Sequence, residues 1–346
     1  MAGLPQRFAD VAALEEFMSA PSAELIADLA RAPGDILVLG VGGKMGPTLA
    51  RMAKRAAPER RVIGVARFSE KGLREKLESQ GVECIACDLL DPGALEKLPR
   101  LPNLIFMAGH KFSAAGGTAG NAAFTWAMNA GVPFGAAEAF RESRIVAFST
   151  ACVYPFLAPD SGGAREDLPA TPPPGDYANS CVARERAFEY GSLRYGTPGR
   201  LLRLEYAIDM RYGVLHDIAA AVHAGRPVDV SMGYVNVIWQ GDANDQALRL
   251  LAHCTAPSSP LNVSGPETLA VRWLAAELGR RLGRTPVLAG NEGPSAWLID
   301  VGAAQRLLGA PRVPLAAMLD WTADWTARGG ASLGKPTHFE TRDGKY

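Results

Sequence analysis

The chain has 346 residues, 36 Lys+Arg against 36 Asp+Glu, and 48% hydrophobic content. That length suits one large unit or two coupled ones. Zero net charge leaves no electrostatic footprint for nucleic acid or an anionic membrane surface, and no apolar run is long enough to span a bilayer. The N-terminal stretch carries acidic residues and lacks the basic start and apolar middle of a secretory signal. The five cysteines make no even framework, so a reducing, cytoplasmic setting is expected.

Residues 1–33 read as two short amphipathic helices. Leu14, Phe17 and Met18 form one apolar stripe, and Leu25, Ile26 and Leu29 form another. The arm is either a packing element or an oligomer contact. From Gly34 onward strand and helix alternate. "DILVLG", "RVIGVAR", "VECIACD", "NLIFMAG" and "RIVAFST" are apolar strands, and "KMGPTLARMAKRAA", "KGLREKLESQG" and "NAAFTWAMNAGVPFGAAEAFRES" are helices between them. Buried strands alternating with helices imply an α/β doubly wound parallel sheet with right-handed crossovers. A Pro/Gly-rich loop over 158–176 leads into a long helix from Tyr177 and a strand "GRLLRLEYA". "LAVRWLAAELGRRLGR" and "PLAAMLDWTADWTARGG" are amphipathic helices, and the tail from 331 is polar. Cys84 and Cys87 form C-x-x-C within a strand, where positions three apart face opposite sides. Buried core cysteines are expected there, and no metal site.

"ILVLGVGGKMG" runs a strand into Gly40, Gly43 and Gly46 and then a helix. Glycines permit the tight turn and a close backbone approach to a pyrophosphate, while the helix N-terminus offers free N–H groups. At the first strand-to-helix turn of a repeating β-α pattern, this predicts a dinucleotide site with Gly40, Gly43, Lys44, Met45 and Gly46 against the cofactor. The second strand ends Val65-Ala66-Arg67, without the acid that holds a ribose 2′-OH. Arg67 there suits a 2′-phosphate, so NADP is expected in preference to NAD.

These residues resemble the extended short-chain dehydrogenase/reductase family, the NAD(P)-dependent epimerase/dehydratase type, over about 35–326. "STACVYP" is similar to the family's Ser-Ser-x-x-Val-Tyr-Gly, and "YANSCVARE" to its Tyr-x-x-Ser-Lys-x-x-x-Glu. The resemblance implies a Rossmann domain over 34–208, with 235–265 returning to it. It also implies a smaller substrate-binding lobe from 209–234 and 266–330, with an arm over 1–33 and a tail over 331–346. It makes Thr150 the catalytic hydroxyl and Tyr177 the acid/base. It sets Asp88 and Leu89 beside the adenine, and Ala108 and Gly109 under the nicotinamide ribose.

The family's lysine, four residues after the tyrosine, is Cys181 here. That lysine normally grips the nicotinamide ribose and lowers the tyrosine pKa through its charge. Cys181 is thus either a small filler or a nucleophile. The missing charge must come from the oxidised nicotinamide or from a residue such as Lys111; otherwise the chemistry is lost. Glu205, after the sixth strand, is either a second acid/base or a surface-paired carboxylate. Asn236 and Trp239 suit a polyhydroxylated ligand, or else pack the strand. Relatives using nucleotide-sugars often carry an arginine before this segment; here the stretch is Met232-Gly233-Tyr234, which argues for a substrate without a diphosphate. The leading expectation is an oxidoreductase or epimerase working by hydride transfer on a sugar or sugar acid. The alternative is a dinucleotide-binding regulatory protein that lost catalysis with its lysine. A homodimer is compatible with either, and no nucleic-acid or membrane partner is expected.

Overall fold

The computed structural model describes residues 3–111 and 119–343. Seven strands form one parallel sheet: β1 (Ile36–Leu39), β2 (Val62–Ala66), β3 (Glu83–Ala86), β4 (Asn103–Phe106), β5 (Arg144–Thr150), β6 (Gly199–Leu204) and, after four two-residue strands numbered β7 to β10, β11 (Ser259–Val263). Their spatial order is β11-β6-β5-β4-β1-β2-β3. The chain leaves β1 toward β2 on one side and returns through β4 on the other, so the sheet has its switch point between β1 and β4. Ligands of open α/β sheets bind in the crevice outside the strand C-termini at such a point.

The apolar runs read from the sequence are the central strands: β1 and β4 are buried at every position. One core lies on one face of the sheet, joining Val38, Leu49, Met52, Val146 and Leu248; a second lies on the other, joining Leu37, Leu104, Phe106, Ala136 and Phe188. A third core lies outside the sheet and joins Leu215, Ile218, Leu274, Leu278, Met318 and Trp321. The two N-terminal helices separate between cores. Val11–Met18 puts Leu14 and Met18 into the third core, whereas Ala23–Arg31 puts Leu25 and Leu29 into the first. Asp10 and Ser22 cap them, each accepting a backbone N–H three residues on.

The segment read as one helix before β5 is broken in the described part. Ala119–Trp126 passes through a π-helical turn, Ala127–Gly131, into Val132–Ala139. Gly116, Gly117 and the rest of 112–118 lie outside the described residues. The cysteine expectation is corrected in one respect. Cys84 packs against the first core and Cys87 against the second, hence on opposite faces, but both are only half-buried because β3 is an edge strand. Among the described residues no group of His, Cys, Asp or Glu could hold a metal, and no helix is long and apolar enough to cross a membrane.

Candidate active site

The glycine loop follows β1 at the switch point, and each glycine has its own reason. Gly40 has φ +91°, and a Cβ there would sit 2.5 Å from the Ala108 nitrogen at the end of β4. A Cβ on Gly46 would sit 2.2 Å from the Val41 oxygen. Gly43 meets only the Gly40 oxygen, at 3.4 Å, which leaves the loop surface open to a ligand. The helix that begins here, Gly46–Ala56, has no side-chain cap on its first N–H groups. The loop therefore fits a pyrophosphate by both shape and donors.

Arg67 is exposed and sits 3.9 Å from Asp88, at the neighbouring ends of β2 and β3. Leu89 is buried among core residues and offers an apolar surface only.

Tyr177 lies in the first turn of the long helix Asp176–Tyr195, and Thr150 ends β5. Both side chains line one cavity, and Thr150 and Cys181 stand near enough to Tyr177 to act on its ionisation. Thr150 Oγ1 also accepts the Cys152 N–H at 3.2 Å. Below this pair is a rigid base. Glu185 takes Arg203 in a two-pronged buried ion pair, at 2.9 and 2.7 Å, and accepts Ser149 at 2.6 Å. Breaking one partner of such a pair costs about 3–5 kcal/mol, so the ends of β5 and β6 and the tyrosine's helix are held in register.

A cavity of about 150 Å³ opens on Thr150, Tyr177, Cys152, Glu205, Lys44 and Lys111. Two larger hollows, of about 340 and 660 Å³, contain none of these groups, so chemistry rather than size selects the smaller one. Lys44 reaches across from the glycine loop, donating to the Ala207 oxygen at 2.9 Å with its Nζ 4.0 Å above the Tyr212 ring. Burial draws it down to about 7, against the pull of Asp209, with Lys111 adding to the fall. Lys111 Nζ stands 5.8 Å from the Tyr177 ring centre and 3.5 Å from the Thr337 oxygen, and burial lowers it too. Thr337 belongs to the tail, which Asp217 pins through both the Thr337 N–H and its hydroxyl.

Burial holds the Tyr177 phenol well above its ordinary value; neighbouring thiols add to this, and Arg184 and Thr150 pull it back. Cys181 is fully buried, and its thiol is pushed up to about 11 by that burial. That corrects the nucleophile reading, because the reactive form is the thiolate. Glu205 is corrected as well. It is not surface-paired: both carboxylate oxygens are buried without a hydrogen-bond partner among the described residues, and burial raises its pKa far above the carboxylate range.

Asn236 and Trp239 do not reach this cavity. The Asn236 amide donates to the Glu267 oxygen at 2.9 Å and accepts the Ile299 N–H at 3.1 Å, which uses both its ends. Trp239 lies in the third core among Phe8, Phe17 and Trp321. Both are packing residues. The Met232-Gly233-Tyr234 stretch is not without a cation either. Arg342, from the tail, lies 3.4 Å from the Met232 sulfur and stacks over Phe156 at 4.4 Å.

Two residues of the site had no reading in the sequence. Asn129, in the π-helical turn, accepts the His110 N–H and donates to the His110 oxygen, both at 2.8 Å, and donates to Ser180 Oγ at 3.0 Å. Single π turns inside helices often mark functional positions. Arg184 donates to Asn129 Oδ1 at 2.7 Å and to the Phe148 oxygen at 2.9 Å. An asparagine amid the apolar run "WAMNAG", and an arginine seven residues after Tyr177 on the same helix face, were the available signals.

A family model described as the NAD dependent epimerase/dehydratase family matches residues 36–231. The chain belongs to that family. It is accordingly an enzyme of the epimerase/dehydratase kind. Among solved structures, UDP-glucuronic acid 4-epimerase from Bacillus cereus, in complex with UDP-glucuronic acid and NAD, is similar with a TM-score of 0.71 and 18% identity, over 85% of this chain and 99% of that one. UDP-glucose 4-epimerase from Thermotoga maritima, with UDP-glucose, gives 0.70 and 18% over the same shares. UDP-glucose 4-epimerase from Thermus thermophilus, in complex with NAD, gives 0.69 and 20% over the same shares. At these identities the likeness carries the family's fold. No curated protein matches this chain by sequence.

Proposed function

We propose that this epimerase/dehydratase-family chain is an NAD(P)-dependent oxidoreductase or epimerase acting on a sugar or sugar acid, with Tyr177 as its proton acceptor and donor. The observation that carries this reading is that Tyr177 and Thr150 line one cavity at the strand C-termini beside the glycine loop. Gly40, Gly43 and Gly46 would take the pyrophosphate, with Lys44 and Met45 alongside, and Ala108 and Gly109 would lie under the nicotinamide ribose. The bound nicotinamide supplies the hydride acceptor and donor. Thr150 would hold the reacting hydroxyl in line, and Tyr177 would take its proton as the carbon is oxidised and return it on reduction. Lys111 and Glu205, which line the same cavity, would meet the substrate's other oxygens.

The test is a panel of free sugars, aldonates, uronates and UDP- or GDP-linked sugars, each incubated with protein and cofactor. Nicotinamide absorbance and product chromatography are read together, because an epimerase returns its cofactor unchanged. Both free and nucleotide-linked forms belong in the panel now that Arg342 reaches the Met232 stretch. Turnover of a sugar or sugar acid is expected. Cofactor binding with no turnover of any of them would favour the regulatory alternative.

We further propose NADP as the preferred cofactor. Arg67 is exposed at the end of β2 and its companion, Asp88, is 3.9 Å away, so the guanidinium is only loosely engaged and open to a 2′-phosphate. A charge-assisted hydrogen bond contributes about 1.5–3 kcal/mol, which is roughly a ten- to hundredfold tighter Kd for NADP. Titrating both cofactors checks this. Arg67→Ala should erase the difference, and equal affinities in the unaltered protein would overturn the preference.

The exposed apolar side chains of Phe134, Tyr190 and Leu193 lie on two helices that pack together. We place the homodimer contact there, and light scattering of the purified protein measures it.

A further inference from the structure

We propose that Arg184 is the fixed positive charge of this site, a positioning residue that does for Tyr177 what a lysine at position 181 would do. The inference rests on Tyr177 being the acid/base, as proposed above.

The helix spacing comes first. Tyr177, Ser180, Cys181 and Arg184 follow at intervals of three, four and seven, so they line one face of the helix Asp176–Tyr195. Long helical side chains lean toward the N-terminus, which carries the Arg184 guanidinium back from its own turn toward the cysteine and the tyrosine. There it is 7% exposed. Its Nη1 donates to the Phe148 oxygen, two residues before Thr150 on β5, and its Nη2 donates to Asn129 Oδ1.

The neighbourhood is built to admit it. A Cβ on Gly109 would sit 2.5 Å from Nη2 and 3.1 Å from Asn129 Oδ1, so a side chain there would push the guanidinium from its place beneath this segment. Among the described residues no carboxylate pairs with Arg184, and its Nε is buried with no hydrogen-bond partner. A buried cation without a counter-ion is costly. The nearby Glu185 is already taken by Arg203 and Ser149. The charge is thus left uncancelled, 5.8 Å over the Phe106 ring and near enough to pull the Tyr177 phenol down.

Other charges and titratable groups face Tyr177. Cys181 lies on its own helix, Cys152 and Thr150 at the end of β5, and Lys111 after β4. Lys44 and Glu205 line the same cavity; the Cys181 thiol is neutral near neutral pH and burial raises Glu205 as well, so no anion among these groups cancels Arg184. Lys111 is the competing cation, but burial weakens its hold on its proton, whereas a guanidinium does not deprotonate in proteins. Arg184 is therefore the charge that persists at alkaline pH, where a raised phenol needs it.

The experiment reads the ionisation of Tyr177 itself rather than turnover, so its failure is distinct from failure of the proposed function. Protein is produced with ring-fluorinated tyrosine, which lowers phenol ionisation toward the range where the protein is folded. The Tyr177 signal in the fluorine NMR spectrum is assigned by its loss in Tyr177→Phe. Arg184→Gln should raise the Tyr177 midpoint by about one pH unit or more, the scale of an opposite charge several ångströms away. Exposed Tyr190 should not move. Asn129→Asp keeps size and puts a carboxylate on the guanidinium, so it should raise the midpoint in the same direction. It also keeps the test open if Arg184→Gln does not fold. Arg184→Lys should restore the midpoint to within a few tenths of a unit. A folded Arg184→Gln or Asn129→Asp protein with an unmoved midpoint overturns the proposal. So does a Lys111→Met protein that carries the whole shift instead.

Discussion

Tyr177→Phe is expected to abolish turnover of any substrate found for this chain, lowering kcat by about 10²- to 10⁴-fold, the contribution of a positioned acid/base. Cofactor affinity should change little, because the glycine loop and Arg67 are untouched. The fold should hold as well. Phenylalanine keeps the ring, and the hydroxyl lost is a buried polar group, whose removal spares the interior a desolvated donor. The pH profile of the unaltered enzyme belongs to the same prediction. Burial holds the phenol above its ordinary value, so the rate of the oxidising half-reaction should keep rising into alkaline pH as phenolate forms. A Tyr177→Phe protein with full turnover would remove Tyr177 from the chemistry.

What could be read from the sequence divides along the kind of force involved. Strands β1, β4 and β5 are continuous apolar runs because both their faces are covered, so their pattern survives without a structure. The glycine loop was legible because sterics at Gly40 and Gly46 allow nothing else. Trp239 and Asn236 stayed open between ligand and packing for the opposite reason. Both are residue types that contact carbohydrate, and the sequence does not say which core so short a strand and its turn join. Phe8, Phe17 and Trp321, which enclose Trp239, come from both ends of the chain. Arg342 and Thr337 were hidden likewise, since a polar tail shows no period and the contacts that place these two, with Met232 and Asp217, are long-range. Cys84 and Cys87 had the right faces but the wrong burial, because strand order, which made β3 an edge, is a property of topology rather than of the strand's residues. Cys181, standing where the resemblance leads one to expect a lysine, could be read from the sequence. Its counterpart at Arg184 was not, because a lone arginine on an amphipathic helix ordinarily reads as solvated.

Glu205→Gln is expected to stabilise the ligand-free protein at neutral and alkaline pH. Both Glu205 oxygens are buried without partners among the described residues, and burial alone raises its pKa well above the carboxylate range. In the unfolded chain it titrates near 4.5. Between that value and the raised folded value, the folded state keeps a proton that the unfolded state has released. Stability therefore falls as pH rises through this window, by up to about 1.4 kcal/mol for each pH unit. It is flat with respect to this group below the unfolded value, where both states are protonated. Glutamine has no proton to lose, so its advantage should be small at pH near 4 and grow toward pH near 8. Urea unfolding of both proteins at several pH values measures it; parallel stability curves would mean that Glu205 is not held as the neutral acid. An unpartnered carboxyl at the wall of the cavity weakens the empty protein, and a hydroxyl-bearing ligand would give it the partner it lacks. Glu205→Gln should accordingly keep substrate affinity within about tenfold, because the amide still hydrogen-bonds. Glu205→Ala should lose more, by roughly the 1–3 kcal/mol of a ligand group left unpaired. If Glu205→Ala binds substrate as tightly as the unaltered protein, the carboxyl does not meet the ligand.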